Sequence, residues 1–273
     1  MASQILVTGG TGTLGRQVVP LLRDAGREMR VLSRRAREPR DGVGYVVGDV
    51  LKNEGIEAAL DGAETVLHLA GGNKGDDVAA RNLVRAASRA DVRHLVLISV
   101  IGADRVPLTF LRTQLEAERA VADSGVPWTA LRAAQFHDLV LKVLRMLAKS
   151  PVVPAPRGVR FQPVDPRDVA ERLVELVLGE PAGLVPDLAG PKVCELSELT
   201  RGYLRAAGKR RLLVPVRIPG KLGRAYRDGD NLTLEGATLG TRTWEEFLAE
   251  RVARPERAGN GKANGHVASP GSA

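Results

Sequence analysis

The chain has 273 residues, of which 44% are hydrophobic and only 3% aromatic, and its formal charge is +8. This length suits one large α/β domain with a small cap, and the low aromatic content predicts an aliphatic core. The single cysteine, Cys194, excludes an intrachain disulfide and a thiolate metal site, so we expect no bound metal. No apolar run approaches the roughly 18 residues that span a bilayer, and the first residues do not resemble a signal peptide. We therefore expect a cytoplasmic protein without a membrane partner.

The positive charge does not by itself indicate a nucleic-acid partner. Arginines are spread along the chain, aromatic residues that could stack on bases are few, and no nucleic-acid-binding motif is present. We expect a small-molecule partner and no nucleic acid, and the sequence leaves the oligomeric state open.

Strand and helix patterns alternate through the first 150 residues. Short apolar runs predict strands at residues 4–8, 29–33, 45–48, 65–70, 94–99 and 128–132. Helical spacing predicts helices at residues 14–25, 76–90, 111–123 and 136–148. This alternation predicts an α/β fold with a doubly wound parallel sheet.

The pattern changes after Ser150, where prolines at 151, 154 and 156 indicate extended chain. Helices are predicted at residues 168–178 and 196–207, and residues 210–251 mix a short strand with helices. We therefore predict a nucleotide-binding core at residues 1–150, the rest of the sheet and a small substrate cap at 151–252, and a disordered tail at 253–273.

A glycine-rich turn joins the first predicted strand to the first predicted helix. Gly9 permits the tight turn, Gly12 lets the backbone approach a pyrophosphate, and Gly15 allows close packing of helix on strand. The helix N-terminus adds free N–H groups and a positive dipole. The turn predicts a Rossmann-type dinucleotide site formed by Thr8, Gly9, Gly12, Thr13, Leu14 and Gly15.

The end of the second strand indicates which nicotinamide nucleotide binds. An NAD site usually carries an acid there for the ribose 2′-OH, but this chain has Ser33, Arg34 and Arg35. Arginines can hold a 2′-phosphate, so NADP is predicted and NAD is the less favoured cofactor. Further cofactor contacts are predicted after the third and fourth strands, at Asp49, Val50, Ala70 and Gly71. Asp49 has the alternative of capping a helix.

Several segments together resemble the NmrA-like atypical short-chain dehydrogenases/reductases. They are the glycine turn, Gly48-Asp49-Val50, His68-Leu69-Ala70-Gly71-Gly72, Leu97-Ile98-Ser99-Val100, Gly125-Val126-Pro127-Trp128 and Val164-Asp165-Pro166-Arg167-Asp168. The resemblance covers about residues 4–250. It implies a Rossmann fold, NAD(P) binding and a small C-terminal substrate region, in a family that includes reductases and redox sensors without known turnover.

The Tyr-x-x-x-Lys pair that such dehydrogenases generally use is missing. Each of the three tyrosines lacks a lysine four residues later. The resemblance expects Tyr and Lys where this chain has Phe110 and Gln114, and Phe cannot transfer a proton. Ser99 stands near the usual serine position and is a predicted cofactor contact. Because the Tyr and Lys pair is missing, the standard carbonyl–alcohol mechanism is in doubt.

Other polar residues follow the sixth strand, on the side where nicotinamide is expected. We predict His137 as a proton donor and Gln135 as a group that orients a substrate carbonyl. Padding the start of a helix is the alternative for His137. Arg132 is a further predicted cofactor contact or a structural residue. Tyr203 and Tyr226 of the cap are second candidates for a proton donor.

These observations favour an NADP-dependent oxidoreductase that transfers hydride to a quinone-like or conjugated small molecule. Such an acceptor delocalises the developing charge and needs no strong acid. A non-catalytic NADP(H)-sensing protein that regulates a partner is the main alternative. An epimerase, a dehydratase or an assembly factor is a third.

Overall fold

A computed structural model describes residues 4–72 and 75–252, and the predicted disordered tail at 253–273 lies outside the described residues. The strands of the main sheet are β1 (Gln4–Thr8), β2 (Met29–Ser33), β3 (Val43–Val47), β4 (Ala63–His68), β5 (His94–Val100), β6 (Trp128–Ala133), β9 (Gly183–Leu184), β10 (Leu188–Ala189) and β13 (Thr238–Leu239). The helices are α1 (Gly15–Asp24), α2 (Ile56–Leu60), α3 (Asp76–Ala87), α4 (Thr109–Ala122), α5 (His137–Leu147), α6 (Pro166–Leu178), α7 (Leu196–Ala206), α8 (Gly220–Asp228) and α9 (Trp244–Arg251). Within those two stretches, no helix is both long and apolar enough to cross a bilayer.

The main sheet has the strand order β13-β10-β6-β5-β4-β1-β2-β3, and β9 also pairs with β6. Every pairing in it is parallel. The order runs outward from β1 in both directions, so the helices that connect the strands cover both faces of the sheet. The predicted doubly wound α/β fold is therefore confirmed.

Aliphatic cores cover both faces of this sheet. On one face α1 and α6 pack through residues such as Val18, Leu22 and Leu173. On the other face α2, α3 and α4 contribute Leu60, Leu83 and other buried side chains. Burial on both faces explains why the central strands read as continuous apolar runs.

The predicted elements agree with the structure in type and differ mainly at their ends. β1 and β2 have the predicted bounds, whereas β4 ends at His68, two residues earlier than predicted. Beyond His68 the chain turns across the glycine loop, and the Leu69 amide donates to the Thr8 carbonyl over 3.1 Å. The sequence analysis gave no bounds for α2, because a helix of five residues is too short for its apolar periodicity to be recognised.

The C-terminal part adds a cap beside the carboxyl ends of the strands. Two small sheets join β7 (Val152–Pro156) to β12 (Leu212–Val216) and β8 (Arg160–Phe161) to β11 (Cys194–Glu195). Helices α5, α7 and α9 share one apolar cluster. Helix α8 packs instead against the start of α4, through a cluster of Val106, Leu111 and Ala225. The cap therefore covers the region that follows β5.

Gly190 is expected to be a steric requirement of the junction between β10 and the segment before α6. A Cβ at Gly190 would overlap the Pro163 carbonyl, whereas a Cβ at Gly44 would have no neighbour closer than Met29 O at 3.7 Å. We predict that Gly190→Ala lowers the free energy of unfolding by about 1–3 kcal/mol, as over-packing does. Gly44→Ala, the matched control, should be neutral or stabilising. Equal urea midpoints for the two variants would contradict the prediction.

Candidate cofactor site

A cavity of about 370 Å³ opens at the carboxyl ends of β1 to β4. It runs from the end of β2 across the turn after β1 to the start of α3, which is the crevice where open α/β sheets bind ligands. Nine of the residues predicted as cofactor contacts line it: Thr8, Gly9, Gly12, Ser33, Arg34, Asp49, Val50, Ala70 and Gly71.

The glycine turn brings backbone close to the strand beside it. Gly9 has φ +71°, and a Cβ there would lie 2.5 Å from the Ala70 amide nitrogen, so only glycine fits. A Cβ at Gly15 would overlap Gly10. Gly12 is exposed, and a Cβ there would meet only Gly9 O, at 3.2 Å. Gly9 and Gly15 thus shape the turn, and the space above Gly12 is open to a pyrophosphate.

A buried hydrogen-bond chain holds this turn. The Ala70 amide donates to Thr8 Oγ1 over 3.3 Å, and Thr8 Oγ1 lies 2.6 Å from His68 Nδ1. Burial lowers the pKa of His68 to about 4, so its ring is neutral near pH 7. The Thr8 hydroxyl and Nδ1 thus share a hydrogen bond between neutral groups, which ties β1 to the end of β4.

Two arginines at the end of β2 are placed differently. Arg34 is exposed, lines the cavity and forms no ion pair with any carboxylate of residues 4–72 or 75–252. The Arg35 amide donates to Ser33 Oγ over 3.3 Å, and the Arg35 side chain does not line the cavity. Arg34 is therefore the cation that can reach a ribose 2′-phosphate from this strand.

Asp49 does not cap a helix, because the N-cap of α2 is Gly55. Its Oδ1 accepts from the Leu51 amide over 2.9 Å, which stabilises a local turn. The residue also lines the cavity beside Val50. The carboxylate keeps acceptor capacity for a ligand amino group.

Asp76, at the start of α3, lines the cavity and is a residue that the sequence reading missed. Its Oδ1 accepts from the Gly72 amide over 2.8 Å, and its Oδ2 accepts from Gln114 Nε2. Burial raises the pKa of Asp76. An acid directly after a glycine-rich segment and at the start of a helix was the available signal. Gln114 stands where the resemblance expects lysine. Its side-chain amide is thus hydrogen-bonded to Asp76, an acid of the cavity wall.

Ser99 and Arg132, two predicted cofactor contacts, instead bind Glu118 of α4. The Ser99 hydroxyl donates to Glu118 Oε1, and Arg132 donates to both Glu118 oxygens over 2.9 and 2.7 Å. Arg132 also pairs with Asp104 over 3.1 Å. Neither residue lines the cavity. Their polar groups are occupied by these contacts and are not available to a cofactor. Thr13, Leu14 and Gly15 also lie outside the lining; Leu14 and Gly15 are buried in the packing of α1.

His137 requires a correction. Its side chain is 0% exposed, its ring centroid lies 5.1 Å from Phe247 and 5.5 Å from Trp244, and Nε2 lies 3.0 Å from the Pro163 carbonyl. A sealed imidazole cannot touch a substrate, so the structure does not support the predicted proton donor. The alternative reading, padding at the start of α5, fits this placement.

Gln135 stays a candidate. The residue is partly exposed, and its Oε1 is buried with no hydrogen-bond partner in the described part of the chain. Buried acceptors usually have a hydrogen-bond partner, so this oxygen is a candidate to accept a hydrogen bond from a ligand. Its backbone carbonyl accepts from the Val164 amide over 3.0 Å, which fixes the start of the loop after β6.

Comparisons with known proteins agree with this geometry. A family model described as NAD(P)H-binding matches residues 9–178. A (4-alkanoyl-5-oxo-2,5-dihydrofuran-3-yl)methyl phosphate reductase of Streptomyces griseus is 31% identical, over 93% of this chain and 95% of that protein. An NAD(P)H azoreductase of Xenophilus azovorans is 30% identical, over 75% of this chain and 74% of that protein. An NADPH-dependent quinone oxidoreductase of Escherichia coli, solved with NADPH, superposes with a TM-score of 0.76 at 21% identity, covering 90% of this chain and 99% of that one.

The chain therefore belongs to the NAD(P)H-binding family, in agreement with its resemblance to the NmrA-like atypical short-chain dehydrogenases/reductases. The predicted class of NAD(P)-binding oxidoreductase is confirmed at the level of this family. The residues of the glycine turn fit the cofactor, because Gly9 lets the turn lie against Ala70 and Gly12 leaves open the space that a pyrophosphate would occupy.

Two glycines of the turn should respond differently to substitution. We predict that Gly12→Val lowers NADPH affinity at least about 100-fold, equivalent to about 2.7 kcal/mol, because its side chain would fill the pyrophosphate space. The variant should keep a near-native melting temperature, since Gly12 is exposed. Gly15→Ala should instead lower the melting temperature, because its Cβ would overlap Gly10. Titration calorimetry and thermal unfolding measure both; unchanged affinity in folded Gly12→Val would make the turn structural only.

Proposed function

We propose that the protein is an NADPH-dependent reductase of conjugated small molecules. The observation that carries the proposal is the contrast between two parts of the site. The glycine turn and its cavity are intact, whereas Phe110 and Gln114 stand where a proton-donating tyrosine and its lysine are expected. Phe110 is 38% exposed on the face of α4 that also carries Gln114, one turn later. Hydride transfer is retained without the acid that simple ketones require.

The choice of NADPH over NADH rests on charge at the end of β2. Arg34 lines the cavity, and no acidic side chain follows that strand before Glu38. A free guanidinium binds a 2′-phosphate through charge-assisted hydrogen bonds. An acid for the ribose 2′-OH is missing from the same place, which disfavours NADH.

The chemistry suits an acceptor that stabilises negative charge by itself. Bound NADPH supplies the hydride. The chain then has to hold the acceptor at the nicotinamide end of the cavity, beside Phe110 and the Asp76–Gln114 pair. A quinone or an unsaturated lactone spreads the developing charge over several atoms, whereas a ketone gives a localised alkoxide. The relatives that reduce an acylated dihydrofuranone phosphate and azo compounds support acceptors of this kind.

Charge on the cap favours an anionic acceptor. Helix α8 carries Lys221, Arg224 and Arg227, and Arg160 lies beside its end, against Gly229. None of these four pairs with a carboxylate within the described ranges. Unpaired cations beside the crevice suit a phosphate ester such as the substrate of the Streptomyces griseus relative. The single, buried cysteine supports placing this reaction in the reducing cytoplasm.

Cofactor preference is tested at the two arginines. We predict that NADPH binds at least about tenfold more tightly than NADH, a difference of about 1.4 kcal/mol. Arg34→Ala should remove most of this difference, because Arg34 lines the cavity. Arg35→Ala is the matched control and should keep it. Calorimetry that finds equal affinities for the two nucleotides in the unsubstituted protein would contradict the preference.

Acceptor choice is tested by NADPH oxidation. We predict faster turnover with menadione, and with an acylated dihydrofuranone methyl phosphate, than with cyclohexanone at the same concentration. The difference should be at least about 100-fold, the size of an acid–base contribution that only the ketone needs. Loss of absorbance at 340 nm gives the rates, and Gly12→Val is the control without cofactor. Tight NADPH binding with no turnover of any conjugated acceptor would instead support the sensor.

A further inference from the structure

The chain has three tyrosines, and the structure separates them. Tyr45 lies in β3, at the edge of the sheet, with β2, β1 and β4 between it and β5. Tyr203 is 3% exposed within the cluster shared by α5, α7 and α9. Tyr226, on α8, is partly exposed in the cap. Of the three, Tyr226 is the one that packs beside the last residue of β5.

The nicotinamide half of the cofactor is expected on that side. The cavity begins at Arg34, passes the turn at Gly9 to Gly12 and ends at Asp76. Because the ribose phosphate belongs at the end of β2 and the pyrophosphate at the glycine turn, the remaining half extends over β4 toward β5 and α4. The acceptor must lie next to it, near Phe110.

Helix α8 is held against this place by several contacts. Tyr226 and Val100, the last residue of β5, both pack against the cluster of Val106, Leu111 and Ala225. That cluster includes Leu111, the neighbour of Phe110 on α4. A Cβ on Gly102 would lie 2.7 Å from the Asp230 carbonyl, so the chain after α8 lies against the loop that follows β5.

The same loop is joined to the cap by two polar contacts. Arg105 Nη2 donates to the Leu232 carbonyl over 3.3 Å, and Asn231 Nδ2 donates to the Arg160 carbonyl over 2.8 Å. Since Arg160 begins β8, these bonds connect the loop after β5, the segment after α8 and β8. Tyr226 thus belongs to a part of the cap that is fixed against the loop after β5.

The Tyr226 ring is fixed while its hydroxyl is unused. Its ring centroid lies 5.6 Å from that of Phe161 at an interplanar angle of 48°. The hydroxyl forms no hydrogen bond with another residue of the described stretches, and it is not among their buried unpaired polar atoms, so it is open to solvent or to a ligand. Burial raises the pKa of Tyr226, so the phenol keeps its proton near neutral pH. It is a preformed donor without an acceptor.

We propose that the Tyr226 hydroxyl donates a hydrogen bond to the carbonyl oxygen of the acceptor, on which negative charge develops during reduction. This rests on the proposed function. The acceptor gains hydride at its electron-poor carbon, its π electron pair moves to the carbonyl oxygen, and one proton from water completes the reduction as NADPH becomes NADP⁺. Tyr226 stabilises the charged oxygen and returns to its starting state. The donor thus comes from α8 of the cap, not from α4.

The test compares Tyr226→Phe with the unsubstituted protein, using NADPH and menadione. Removing one donor to a developing oxyanion lowers turnover by about 10²–10³-fold, and we expect a fall in kcat of that size. NADPH affinity and melting temperature should stay unchanged, because the lost hydroxyl contacts neither the cofactor cavity nor another side chain. Tyr45→Phe is the matched control and should keep full activity. Tyr226→His, which retains a donor, should be more active than Tyr226→Phe.

Each outcome is decisive for one of the two proposals. Near-normal kcat in Tyr226→Phe overturns the role of Tyr226 and leaves the reductase proposal standing. Equal losses in Tyr226→Phe and Tyr226→His also overturn it, because the donor would then not matter. If the unsubstituted protein binds NADPH but reduces neither menadione nor the dihydrofuranone phosphate, the reductase proposal itself fails.

Discussion

The close approach of the glycine turn to the end of β4 is the constraint on which the site depends. Gly9 leaves no room for a side chain against Ala70, and the Thr8–His68 hydrogen bond fixes the two strand ends from below. Because β1 and β4 are neighbours, this contact sets the position of α1 and the shape of the cavity together. His68 is neutral in this arrangement, because burial lowers its pKa to about 4, so the Thr8–His68 hydrogen bond joins two uncharged groups.

Beyond β4, polar groups that a short-chain dehydrogenase would use for acid–base chemistry are held by neighbouring side chains. Gln114 binds Asp76, and Glu118, four residues further along α4, binds Ser99 and Arg132. Glu118 and Arg132 are nearly buried, with side chains 10% and 12% exposed. Removing either one would therefore leave the charge of the other without a partner in a buried place. These bonds make α4 a structural wall of the site and leave the cofactor as the main source of reactivity.

The cap contributes in two ways. His137, sealed between Trp244, Phe247 and the Pro163 carbonyl, joins α5 to α9 and to the segment before α6. Helix α8 has a different position, because it packs on α4 and the loop after β5. The cap thus places an aromatic cluster outside the lining of the cofactor cavity, whereas α8, with its cationic side chains and Tyr226, packs on α4 and the loop after β5.

Local pattern alone predicted the fold class and half of the residues that line the candidate cofactor cavity. A glycine turn between an apolar run and a helical period has few physical solutions, so Gly9, Gly12, Arg34 and Asp49 were identified from spacing and position. Each of these residues is positioned by the turn that it belongs to or by the end of the strand that it follows. Their placement therefore needs no knowledge of distant partners.

Tertiary structure decided which polar side chains are free. The sequence made His137 the first candidate for a proton donor and Tyr226 a second one. In the structure His137 is enclosed by α9, whereas Tyr226 is partly exposed on α8, which packs beside Val100 at the end of β5. Ser99 and Arg132 are bound by Glu118, which lies 19 and 14 residues away along the chain. Burial and ion pairing depend on contacts between elements far apart in sequence, and periodicity carries no information about them.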